Sequence, residues 1–221
     1  MTLNYYSRMR FINNLLPLLR TATTQPPHFS RTLSILGAGH ERPIDFTDLE
    51  LKNTFTGARC AYHTTVMNDF LNQEFANREP GISFVHTSPG IVDTGVAREL
   101  PVWLRVPLKV FTPLLKPFMV GREETGARQL FIATSGLYPP AKPVDAKGAG
   151  IKVPEGLDVC KGADGTVGSG AYNLNWDGER TGKEPLLTQY REKGAGKTFW
   201  EHTMGIFERV EKINAAKTEV K

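Results

Sequence analysis

Cysteine is almost missing from this 221-residue sequence: Cys60 and Cys160 are the whole complement. Two thiols so far apart build neither a disulfide framework nor a thiolate zinc site. They form no CxxC pair, and a reducing compartment is expected. Acid is missing before Glu41. A clean membrane span is missing too. The most apolar stretch, residues 101–121, holds Arg105, Lys109, Lys116 and four prolines, and three cations in one span cost too much. No secretory apolar core precedes it. Basic runs interleaved with aromatics are absent, and a net charge of +4 is mild for this length. Together these exclude a nucleic-acid partner as an expectation.

What remains is ordinary. An apolar fraction of 40% and a charged fraction of 23% suit a globular chain of about one domain. The acid-free start carries Arg8, Arg10, Arg20 and Arg31 among serines and threonines, the composition of a mitochondrial transit peptide. The same stretch places Tyr5, Met9, Ile12, Leu15, Leu16 and Leu19 at helical spacing. A first helix in a cytoplasmic protein is the expectation, and mitochondrial targeting is the alternative.

Along the chain, Arg31–Leu36 alternates as a short strand. Ala58–Arg78 reads as the strongest helix, with Tyr62, Val66 and Phe70 in one i, i+4 row. Ile82–His86 is a β-rich run closed by Ser88-Pro89-Gly90. Arg122–Ser135 is an amphipathic helix with acids in its first turn. Residues 164–174 read as a turn and a strand, and helices are expected over 186–193 and 198–212. Residues 97–121 form an apolar, lid-like segment, and residues 139–185 are loop-rich. Helices alternating with strands predict an α/β fold with parallel crossovers.

In that order the segments RTLSILGAG (31–39), ISFVHTSPGIVDT (82–94), EETGAR with LFIATSGLYPP (123–128, 130–140) and DGTVGSGAY (164–172) resemble the C-terminal half of the short-chain dehydrogenase/reductase family, of the kind found in fungal secondary metabolism. The resemblance implies a partial Rossmann-like, doubly wound parallel sheet of about three strands, in one truncated domain over 1–221. The family's TGxxxGxG cofactor turn and NAG motif have no counterpart here. No GxGxxG is present either. The family's catalytic serine aligns at or near Gly37, with Ser34 three positions earlier. Its YxxxK falls on Tyr62 and Val66, or near Gly57 and Ala61; no lysine lies between Asn53 and Gly81. A phenol without that ammonium is a poor acid at neutral pH.

Single residues carry two readings each. His40 and Glu41 follow the first strand, where α/β sheets place ligands, and a glutamate could orient the imidazole; loop charge is the plainer account. Tyr62 could donate a proton or be a core aromatic. His63 could be a base or a solvated or capped helix residue, and His86 is expected to be packed or hydrogen-bonded. The resemblance makes Pro89, Gly90 and Thr94 a vestigial cofactor-contacting loop. No metal-ligand spacing is present. The expected function is therefore that of a dehydrogenase-like protein of a small-molecule pathway, redox-deficient alone and assisting a step such as cyclisation or dehydration. It takes an apolar substrate or intermediate. It needs no cofactor by itself, and NADP if a missing half is supplied. A ketoreductase lacking its N-terminal half is the first alternative, and a non-catalytic interaction module is the second. The resemblance leaves the first strand as a sheet edge, so a homo-oligomer or a protein partner at that edge is expected.

Overall fold

The repeat of Tyr5, Met9, Ile12 and Leu16 is the inner face of α1 (Ser7–Thr24), which a π-helical turn at Thr2–Tyr6 introduces. All four side chains are buried. Pro17 lies inside α1 on its exposed side and removes one backbone hydrogen bond there. The structure is a computed structural model and describes residues 1–26, 28–92, 101–103, 119–144 and 149–219. Most of the expected lid-like segment lies outside the described residues. None of the described helices is long and apolar enough to cross a membrane.

Three parallel strands, β1 (Arg31–Ile35), β2 (Ser83–Thr87) and β3 (Ala171–Leu174), lie in the order β1-β2-β3. Ser34, His86 and Asn173 share one register row across them. The α/β expectation with three parallel strands and flanking helices is met. The helix α2 (Gly57–Arg78) connects β1 to β2, and α3 (Arg122–Thr134) lies in the connection from β2 to β3, the long crossovers that parallel neighbours need.

The helix α2 starts where the Thr56 hydroxyl accepts a hydrogen bond from the Arg59 N–H, 3.1 Å, a standard cap. It covers one sheet face. Phe75 stacks on Phe84 at 5.5 Å, and α1, α4 (Glu184–Glu192) and α5 (Ala195–Glu219) complete that core. The other face buries Val85, Tyr172 and Leu174 with Ile132 of α3 and Tyr138. Side chains alternate between the two cores because the strand period is two. From Pro139 to Gly182 the described residues form turns, isolated bridges and β3.

Candidate functional site

The strands end on one side of the sheet, and their exit loops meet there. Gly37–Glu41 leaves β1, Ser88–Ile91 leaves β2, and Asn175–Trp176 leaves β3. The start of α3 closes the fourth side. Between them lies a cleft of about 580 Å³ lined by His40, Ser88, Gly90, Ile91, Met119, Val120, Glu124, Asn175 and Trp176. The carboxyl ends of parallel strands are where open α/β sheets bind ligands.

Trp176 forms one wall. Arg128 stacks on its ring at 4.5 Å and is itself held by Glu124 at 2.6 Å. Gly90 makes the opposite loop thin enough to fit. Its φ is +74°, and a Cβ there would stand 3.0 Å from Trp176 Cβ and Cγ. This is a backbone that glycine adopts without strain.

Behind the cleft is a buried polar relay. His86 Nε2 accepts the Gly37 N–H, 3.1 Å, so the ring's proton is on Nδ1, which donates to Asp69 Oδ1 at 2.6 Å. Both side chains are fully buried. Burial, aided by the Arg8 guanidinium, pushes the His86 pKa down to about 3. Burial, followed by the charge and hydrogen bonding of Glu41, raises Asp69 well above the carboxylate range. Both shifts favour the neutral forms of the two groups. Glu41 is itself buried. Its two oxygens accept the N–H of Gly39 at 2.7 Å and of Lys183 at 3.0 Å.

The sequence candidates separate on this frame. His40 reaches the cleft, and Glu41, its neighbour, is turned inward and holds backbone instead of the imidazole. Pro89 sets the turn beside Gly90, and Gly90 lines the cleft. Thr94 lies outside the described residues. Tyr62 is half-buried and does not line the cleft; Val66 and Phe70 of the same row are buried. His63 is buried rather than solvated. It accepts the Asp45 N–H at 3.4 Å, and burial lowers its pKa. His86 is packed and hydrogen-bonded as expected. Ser34 is buried under Asn68, whose Nδ2 donates to it at 3.3 Å. At Gly37 a Cβ would stand 3.1 Å from Thr65 Oγ1, so a serine there needs that threonine to yield. Asp69 escaped the sequence reading: its signal was an acid set between Val66 and Asn72 on a buried helix face.

A dinucleotide finds a poor fit in the described residues. The Gly37–Gly39 turn opens no helix; the chain runs without one until Gly57. The helix that does begin at the cleft, α3, carries Glu123 and Glu124 in its first turn, which repel a phosphate. Among the described residues no cluster of three potential metal ligands exists.

No protein-family model matches the chain. It is 36% identical over 213 residues to an oxidoreductase of Emericella nidulans, covering 94% of this chain and 60% of that protein. It is 34% identical to an oxidoreductase of Emericella variicolor, over 93% of this chain and 59% of that protein. A short-chain dehydrogenase/reductase of Stachybotrys chartarum is 31% identical, over 96% and 58%. The chain is a partial homologue of fungal oxidoreductases, and it spans about three-fifths of the length of these relatives.

Proposed function

We propose that this chain is the ligand-holding part of a short-chain-dehydrogenase-like fold, acting on an apolar small molecule of fungal secondary metabolism without hydride transfer of its own. The observation that carries this reading is the cleft at the carboxyl ends of β1, β2 and β3, apolar on the side of Ile91, Met119, Val120 and Trp176 and polar at Ser88, Asn175 and His40. The apolar wall favours a ring system, and the polar groups orient its oxygens. His40 is the imidazole that faces the ligand. In a dehydration it would take a carbon-bound proton and return it to the departing hydroxyl oxygen, so water leaves and a double bond forms.

A second reading is a NADP-dependent ketoreductase whose cofactor-binding part lies outside this chain. The relatives' greater length favours it. One experiment separates the two. The bicyclic ketone α-tetralone is titrated against the fluorescence of Trp176, with Trp176→Phe as reference, and NADPH is titrated in parallel. The first reading expects quenching by the ketone, lost in the variant, and no enhancement of nicotinamide emission. Tight NADPH binding by the chain alone would overturn it.

A further inference from the structure

Between the core and the cleft, one side chain faces two ways. Asp69 lies on α2 and is fully buried. Its Oδ1 accepts the His86 Nδ1–H at 2.6 Å, and His86 Nε2 accepts the Gly37 N–H at 3.1 Å. Among the described residues its Oδ2 receives no N–H or O–H donor. What stands against Asp69 instead is the Glu41 carboxyl, at hydrogen-bond range. Two buried carboxylates meet at that range only with a proton between them. Glu41 then accepts the Gly39 N–H at 2.7 Å and the Lys183 N–H at 3.0 Å.

These contacts converge on one short loop. Gly37 is held through His86, and Gly39 through Glu41. The His40 N–H closes the turn onto Gly37 O at 3.1 Å. His40 follows both anchored glycines and precedes Glu41, so the backbone on either side of it is fixed where its side chain lines the cleft. Gly39 also lies close against Thr181: its φ is +86°, and a Cβ there would strike the Thr181 hydroxyl. Few other charges face this hub. Arg8 of α1 stands near His86 and donates to Ser34 at 3.5 Å. Arg191 of α4 stands near Asp69, and its guanidinium is spent on Gln73 at 3.4 Å, Glu184 at 3.3 Å and the Ala163 carbonyl.

We propose that Asp69 is the positioning residue of the cleft: through His86 on one oxygen, and through a proton shared with Glu41 on the other, it fixes the Gly37–Glu41 loop that presents His40. This rests on the reading of His40 as the imidazole that faces the ligand. Glu41 aims that imidazole through the backbone, without touching it. A buried polar network whose members are satisfied is rigid, so the loop is set before a ligand arrives. The shared proton makes the hold depend on pH. When it leaves as pH rises, two buried anions face each other and repel, and the Glu41 arm of the hold is the one released.

The test combines hydrogen exchange at the amides of Gly37, Gly39 and Lys183, corrected for base catalysis, with infrared titration of the carboxyl groups and quenching by α-tetralone. Asp69→Ala cuts both arms: protection at Gly37 and Gly39 should fall at least about 10-fold and α-tetralone should bind about 10-fold more weakly. Asp69→Asn should restore both, because its oxygen accepts from His86 and its amide donates to Glu41. Glu41→Gln leaves one N–H without an acceptor, so protection should fall at Gly39 or Lys183 and persist at Gly37. In the parent a protonated-carboxyl band should persist well above the ordinary carboxylate range and be missing from Asp69→Asn. Protection of Gly39 should fall as that band fades, and stay constant in Asp69→Asn. A folded Asp69→Ala with Gly37 and Gly39 as protected as in the parent overturns the proposal. So does a parent without a carboxyl band that Asp69→Asn removes. If Asp69→Ala does not fold, Glu41→Gln decides, and unchanged protection at both Gly39 and Lys183 overturns it. A parent that does not bind α-tetralone while the exchange pattern holds overturns the functional reading and supports the hold of Asp69 on the loop.

Discussion

The single residue on which the cleft depends most is Gly90. A methyl group there meets Trp176 and a backbone dihedral that alanine resists. Gly90→Ala should cost about 1–3 kcal/mol and displace Trp176, read as a lower melting temperature and a shifted tryptophan emission. Asp69 and His86 give the clearest pH dependence. Unfolded, they titrate near 3.8 and 6.5; folded, Asp69 keeps its proton far above that, and His86 accepts one only near 3. The raised Asp69 pKa makes stability fall as pH rises above 3.8, and the depressed His86 pKa makes it fall as pH drops from 6.5 towards 3, so the two effects oppose one another in between. Asp69→Asn leaves the His86 effect alone, and stability then falls as pH drops below 6.5. Urea midpoints of both proteins across pH check this.

Among the elements, β1 and α3 are tied by one side chain. The buried Arg31 guanidinium donates to Ile132 O at 2.7 Å, to Tyr138 O at 2.5 Å and to Ser83 Oγ at 3.2 Å. Burial lowers its pKa to about 10. Arg31→Ala strands two buried carbonyls and should cost about 2–4 kcal/mol, measured by urea unfolding. These elements were largely legible in the sequence. The periodicity of α1, α2 and α3 and the β-rich runs placed each within a few residues, because one face of each must be buried. The sides of α2 were not legible. Its row through Tyr62 predicted which residues turn inward, yet His63, Asn68, Asp69 and Asn72 are buried as well. The helix is clasped between the sheet and α5, and a helix covered on two sides has no polar face to read. The cleft was half legible. Strand ends pointed to His40 and Gly90, while Trp176 and Glu124 converge from segments distant in sequence.

At the scale of the whole molecule, α5 is what closes the larger core. Phe199 packs against Phe46 at 5.1 Å and Phe70 at 5.7 Å, so the chain's last helix and its central helix share one aromatic cluster. Phe199→Ala should cost about 3–5 kcal/mol, a large share of a domain's total stability, and appear as a melting point lowered by many degrees. The sheet itself has unequal margins. The amides of Ala163 and Thr181 already occupy the outward carbonyls of β3, whereas no described strand pairs with the outer side of β1. An incoming strand therefore meets free backbone at β1 and carbonyls already taken at β3.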